Sequence, residues 1–322
     1  MQYGFSIKRK CYLLSVLLMT VWLTGCVQEE FESTPSPAGN GIRFTLTVPD
    51  VNLPSVSSRT MTGTGTAKKE DEIETVDILV FDMSKMPAVF LEWASATEVT
   101  QDLADNSTVS FSAVLSPTTA STCIVVVANK ELDGIVSGFT KGVTTKVRAM
   151  EEMLHTQTGK WLADGSTTGG YTRIPMYGEK VISKITPSMN PITDINMKRM
   201  LARIDIRNNS VTSNFTVEEV YLANYNTTGY IAPAWNTNGQ VTDPVPDTPV
   251  LPAGSGKMTE EGDAILYSVN GNTPYDGEIY TFESLAAEDA GGAGADGEAS
   301  RKDATCLIVK GRIGTRSEEH TS

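Results

Sequence analysis

Apolar and polar residues alternate without a break through Ile42-Arg43-Phe44-Thr45-Leu46-Thr47-Val48. A period of two predicts a half-buried β-strand, and Pro49 stops it. Residues 73–82 place Val76, Ile78 and Val80 on one parity and Leu79 and Phe81 on the other, which predicts a strand buried on both faces. Residues 109–115 alternate again. Residues 122–128 hold the continuous run Cys123-Ile124-Val125-Val126-Val127, which fits a central sandwich strand. Within 146–155, Val147, Met150, Met153 and Leu154 recur at helical spacing, with Arg148, Glu151 and Glu152 outside. The methionines read as packing. Short strands are predicted at 174–178 and 181–185, and the pattern restarts at 195–206. Residues 215–222 form a further strand, and 280–283 with 306–309 read as a strand pair. Between them lie a Gly/Thr-rich loop at 55–69, a Gly-rich turn at 164–170, a Pro/Asp/Gly-rich loop at 236–256 and an Ala/Gly/acid-rich hairpin insertion at 286–303. Many short strands with one helix predict an all-β chain of two Ig-like β-sandwich domains, the helix lying in the first.

The ends of the chain carry other signals. Lys8, Arg9 and Lys10 precede an apolar run over 11–23. A spanning helix needs about 20 apolar residues, so this run reads as a secretory signal peptide. It ends in Leu23-Thr24-Gly25-Cys26, which resembles the lipobox of bacterial lipoproteins. That resemblance implies removal of residues 1–25 and lipidation of Cys26, whose thiol accepts the diacylglycerol. Several acyl chains then anchor the protein stably in the outer membrane. Residues 26–41 read as a flexible tether. Its acidic run Glu29-Glu30-Phe31-Glu32 resembles the surface-export signal of lipoproteins in some anaerobic Gram-negative bacteria. Residues 316–322 match the read-through of a common sequencing-library adapter and are set aside, so the natural chain is expected to continue beyond Gly314.

Length then allocates the sandwiches. The 322 residues without their leader accommodate two domains, placed at 42–196 and 197–315, the second incomplete. A net charge of −13 argues against a nucleic-acid partner. Of four cysteines, Cys123 and Cys306 remain after Cys11 and Cys26 are assigned to the leader and the lipid. Both stand in apolar runs and are expected as buried free thiols, with a disulfide between them left open. Of two histidines only His155 lies outside the set-aside tail. Hence no catalytic residue, no metal site and no cofactor is expected: there is no nucleophile–base pair, no ligand spacing, no phosphate loop. The acidic 286–303 stretch lacks the regular spacing of a calcium loop.

Several segments, in order, resemble the fimbrillin family, the subunits of fimbriae (type V pili) on anaerobic Gram-negative bacteria. They are Ser58-Arg59-Thr60 followed by Glu72-Ile73 and Val76-Asp77-Ile78-Leu79-Val80-Phe81-Asp82; Ile124-Val125-Val126-Val127-Ala128-Asn129; Pro175-Met176-Tyr177-Gly178; Lys198-Arg199-Met200-Leu201-Ala202-Arg203; Val220-Tyr221-Leu222-Ala223-Asn224; and Ile279-Tyr280-Thr281-Phe282-Glu283 with Cys306-Leu307-Ile308-Val309-Lys310-Gly311. The resemblance spans about 42–314 and lacks the family's closing strands.

It implies two transthyretin-like sandwiches and assembly after export as a lipoprotein. An Arg-specific surface protease would cut the Arg59–Thr60 bond, because Arg43 stands in a protected strand. The strand bearing Ile42, Phe44, Leu46 and Val48 would leave, and a strand from another fimbrial subunit would fill the groove. Adhesion to a host or glycan ligand follows from such a role. The competing expectation is a lipid-anchored glycan-binding protein that never polymerises, with Trp93, Trp161 and Trp235 as stacking platforms or core residues. A hydrolase fits least, given essentially one histidine.

Overall fold

The computed structural model describes residues 41–48, 70–101, 108–162, 172–206, 215–242, 250–253, 264–268, 275–284 and 304–314. The signal peptide, residues 26–40 of the tether, with Cys26, Arg59, Thr60, the 164–170 turn, the 286–303 insertion and the 316–322 tail all lie outside these residues, whereas Gly41, expected to end the tether, opens β1.

Strands dominate, as the alternating pattern requires. The first is β1 (Gly41–Thr47), followed by β2 (Val76–Asp82), β3 (Val89–Ser95), β4 (Thr97–Gln101), β5 (Thr108–Val114) and β6 (Thr122–Ala128). Two short helices come next, α1 (Asp133–Val136) and α2 (Lys146–Glu152), then β7 (Leu154–Thr156), β8 (Met176–Ile182), β9 (Ile192–Asn196) and β10 (Lys198–Arg199). The remainder is β11 (Ala202–Ile206), β12 (Phe215–Ala223), β13 (Thr228–Tyr230), β14 (Ile265–Ser268), β15 (Tyr275–Thr281) and β16 (Cys306–Ile313).

Two sheets form the first sandwich. One runs β4-β5-β1-β9 and the other β10-β8-β6-β2-β3. Their facing sides close one core, with Ile42, Phe44, Leu46, Phe111 and Ile195 meeting Ile78, Val80, Ile124, Val126 and Met176. The opposite side of the second sheet is buried too. There Leu79, Phe81, Val125 and Val127 pack with Met150 and Met153 of the α2 region and with Ile231, Tyr280 and Phe282. Burial on both faces is why β2 and β6 lack polar alternation. This second core draws residues from either side of the 196/197 boundary. A third core joins Val217, Val220 and Leu222 of β12 to Tyr267 of β14 and Ile279 of β15.

Gly178 of β8 packs directly beneath Ile195 and Met197. A Cβ there would lie 2.7 Å from Met197 Sδ and 2.8 Å from Ile195 Cγ2, so no larger residue fits beside β9 without displacement.

Several expectations are corrected. The helix predicted over 146–155 ends at Glu152, and Leu154 turns into β7 instead, which pairs antiparallel with β13. Segments 174–178 and 181–185 are replaced by a single strand, β8, because its backbone pairs with β6 along its whole length. A second helix, α1, accompanies the expected one. Residues 280–283 and 306–309 do not pair with each other: β15 joins β11, whereas β16 joins β12. Cys123 is buried and free as expected, and burial pushes its thiol up to about 12. Cys306 is free but exposed, because it starts β16, a strand covered along little of its length.

His155 of β7 illustrates how a polar residue is used inside an apolar seam. Its ring centroid lies 4.9 Å from that of Trp161 and 6.4 Å from that of Phe282, and neither ring nitrogen has a hydrogen-bond partner among the described residues. Burial, with a smaller contribution from Lys130, lowers its pKa from 6.5 to about 4. The fold therefore selects neutral imidazole. Between pH 6.5 and 4 the unfolded chain binds a proton that the folded chain resists, so stability falls as pH falls through that window. The ring is partly exposed, and after screening the loss is about 1–2 kcal/mol. Urea midpoints at pH 7, 5.5 and 4.5 should therefore drop less for His155→Gln than for the parent; equal slopes would exclude this origin.

Candidate functional site

The candidate site is β1 and the slot it fills. Its alternation has a direct structural counterpart. Ile42, Phe44, Leu46 and Val48 are 5%, 1%, 0% and 1% exposed, whereas Arg43 and Thr45 are half-buried and Thr47 is exposed. β1 is an interior strand, flanked on both sides. On one side it pairs antiparallel with β5, setting Ile42 opposite Ala113, Phe44 opposite Phe111 and Leu46 opposite Val109. The Phe44 and Phe111 rings stack with centroids 4.9 Å apart and planes within 4°. On the other side it runs parallel to β9, with Phe44 beside Ile192 and Leu46 beside Ile195, and the backbone N–H of Met197 donates to the Thr47 carbonyl at 2.9 Å.

Every ladder β1 makes is with a strand distant in sequence. Parallel pairing requires a long connection in any case. Lifting β1 out would therefore break no hairpin, yet it would open a slot one strand wide. Neighbouring strands lie about 4.8 Å apart, so β5 and β9 would face each other across roughly 10 Å with unpaired N–H and C=O groups. Burial of four apolar side chains at about 1.5–3 kcal/mol each holds the strand in place.

Sequence reasoning found the three inward apolar residues of β1 and Val48, which follows it, and missed what surrounds them. Arg59 and Thr60, in the stretch between β1 and residue 70, and Cys26 lie outside the described residues, so no geometry attaches to them. Among the described residues, no group of His, Cys, Asp and Glu is arranged to hold a metal ion, and no helix is long and apolar enough to cross a membrane. Of the three candidate stacking tryptophans, Trp161 is buried, and Trp93 and Trp235 pack half-buried against the second core. None of the three stands free on the surface as a platform.

Solved structures resemble the chain at low sequence identity. A fimbrial assembly protein from Parabacteroides distasonis is 12% identical, covering 85% of this chain and 82% of its own, with a TM-score of 0.41. The fimbrial anchor protein Mfa2 from Porphyromonas gingivalis is 13% identical, covering 76% of this chain and 74% of its own, with a TM-score of 0.32. No curated protein matches the sequence. The family model described as Major fimbrial subunit protein (FimA) matches residues 42–246, a span that opens on the β1 strand and takes in both facing sheets of the first sandwich. The chain therefore belongs to the major fimbrial subunit protein (FimA) family, whose members are structural proteins of fimbriae rather than enzymes.

Proposed function

We propose that this fimbrial subunit polymerises at the cell surface by exchanging β1 for a strand of a neighbouring subunit. The observation that carries the reading is that β1 is buried and interior, yet its strand ladders among the described residues run to segments remote in sequence. A strand of that kind is held by the slot rather than by its own chain neighbours. An incoming donor would run antiparallel to β5 and parallel to β9, and it would carry apolar residues at every second position.

In this reading the precursor is exported as a lipoprotein lipidated at Cys26 and tethered to the outer membrane. An Arg-specific surface protease cuts between Arg59 and Thr60 and releases lipid, tether and β1 together. Arg43 is spared because it lies mid-strand, where paired backbone resists proteolysis. The partners are other fimbrial subunits, and adhesion to a host or glycan ligand is the function of the polymer. The division into sandwiches at 42–196 and 197–315 belongs to the same reading.

The test uses the folded full-length chain and an Arg-specific protease. The expected products are a new N-terminus at Thr60, loss of the fragment bearing β1, and a ladder of oligomers. Complete cutting at Arg59 with β1 retained and only monomer present would sink the proposal, as would resistance of that bond.

A further inference from the structure

Residues 70–75 enter β2 directly and belong to no strand, yet each of the six is bonded by side chains or backbone from elsewhere in the fold. The Glu70 carboxylate accepts from Arg203 Nη1 at 2.6 Å and from Tyr280 Oη at 2.5 Å, and its carbonyl accepts from Arg199 Nε at 3.3 Å. Asp71 pairs through its carboxylate with Arg199, and its carbonyl accepts from Gln101 Nε2 at 2.7 Å. The Glu72 carbonyl accepts from Asn129 Nδ2 at 2.8 Å, and its carboxylate meets Arg173 Nε at 3.2 Å. Ile73 donates its N–H to Gln101 Oε1 at 3.1 Å and buries its side chain in the first core. Glu74 donates its N–H to Asn129 Oδ1 at 3.0 Å and pairs with Arg173 Nη1 at 2.6 Å, and the Thr75 carbonyl accepts from the Asn129 N–H at 2.9 Å. Asn129 reaches all three of these partners from a left-handed backbone, φ 59°, which asparagine tolerates.

Irregular segments beside a chain end normally fray. Here the opposite arrangement is built, directly after the segment in which the proposed cut would create a new end. After any cut between residues 49 and 69, 70–75 is the first described stretch that remains ahead of β2. β2 begins immediately after it and is an interior strand, between β6 and β3. Fraying past residue 75 would unzip β2 and with it both faces of the second sheet. Glu70 is 7% exposed, so withdrawing its carboxylate from Arg203 and Tyr280 would strand buried polar groups.

We propose that residues 70–75 are the stop that limits N-terminal loss to β1, with Glu70 and Asp71 clasped by Arg199, Arg203 and Tyr280 as its positioning residues. The proposal rests on the reading that β1 leaves, and it adds the device that keeps loss along the chain from continuing into β2 of the facing sheet.

The experiment digests the folded full-length chain with a broad-specificity protease followed by an aminopeptidase. It reads the trimmed N-terminus by intact mass, amide exchange of the 70–75 peptide, and oligomer ladders on the same digest. The parent should stop at or before residue 70. Glu70→Gln/Asp71→Asn should stop later, within or beyond 71–75, with exchange there faster by roughly tenfold or more. Gln101→Ala leaves every ion pair intact and should show the same shift more weakly, which keeps the test open if the double variant does not fold. Unchanged boundary and exchange in both variants would overturn the stop, and so would a parent trimmed into β2. A shifted boundary without ladders upholds the stop and overturns strand exchange instead.

Discussion

Phe44→Ala is expected to lower unfolding free energy by about 3–5 kcal/mol, the cost of truncating a fully buried aromatic core residue. Phe44 loses its stack on Phe111 and its contact with Ile192, and the rigid walls of β5 and β9 limit how far the cavity can collapse. Leu46→Ala should cost about 2–5 kcal/mol for the same reason. Thr47→Ala, on the exposed face of the same strand, should change stability by no more than about 0.5 kcal/mol. Denaturant titration of the full-length chain reads all three. A synthetic peptide of residues 41–48 supplies a second measurement. Added in excess to protease-cut protein, it should occupy the slot and suppress oligomer ladders, and the peptide carrying alanine at position 44 should suppress them far less. Equal costs for Phe44 and Thr47 would remove the physical basis of a strand held by its slot.

The second large effect lies on the other face of the central sheet. Lys146 is 2% exposed, and its Nζ donates to Glu179 Oε2 at 2.6 Å, the same oxygen that accepts from Tyr177 Oη at 2.5 Å. Burial, reinforced by Glu179, drives the Tyr177 phenol well above its ordinary range, so it stays a donor. Lys146→Ala leaves the carboxylate without its cation and is expected to cost about 3–5 kcal/mol. The double replacement Lys146→Met/Glu179→Gln removes both charges together and keeps an amide oxygen to accept from Tyr177 Oη. It should recover most of that loss, because two desolvation penalties disappear with one attraction. Equilibrium unfolding at pH 7 distinguishes this from simple additivity, which would rule out a coupled pair.

Legibility followed the range of the forces involved. β1, β5, β6 and β12 were readable because burial of one or both faces imposes a period on a short stretch of chain. β3, with its run Val89-Phe90-Leu91-Glu92-Trp93, was missed because it packs half-exposed residues at a sheet edge and so shows no clean period. The helix at 146–152 was found, but from Val147 rather than from Lys146, which is the buried residue. A lysine earns a core position only from Glu179, and nothing near it in sequence announces that partner. The 70–75 clasp was invisible for the same reason. Its carboxylates read as surface charge until Arg199, Arg203 and Tyr280 are brought beside them.

Alternation along 42–48 by itself determined which side chains of β1 turn inward, because the pleat assigns successive residues to opposite faces whatever the neighbours are. Unbroken β-branched runs elsewhere, such as 123–127, likewise marked interior strands. Only the tertiary structure decided that β1 lies between β5 and β9, that β15 and β16 go to separate sheets, and that Lys146 is buried. Hydration of a side chain is a local property and leaves its mark on the nearest few residues. The choice of a ladder partner or a counter-ion compares segments far apart on the chain, and packing across the whole core settles it.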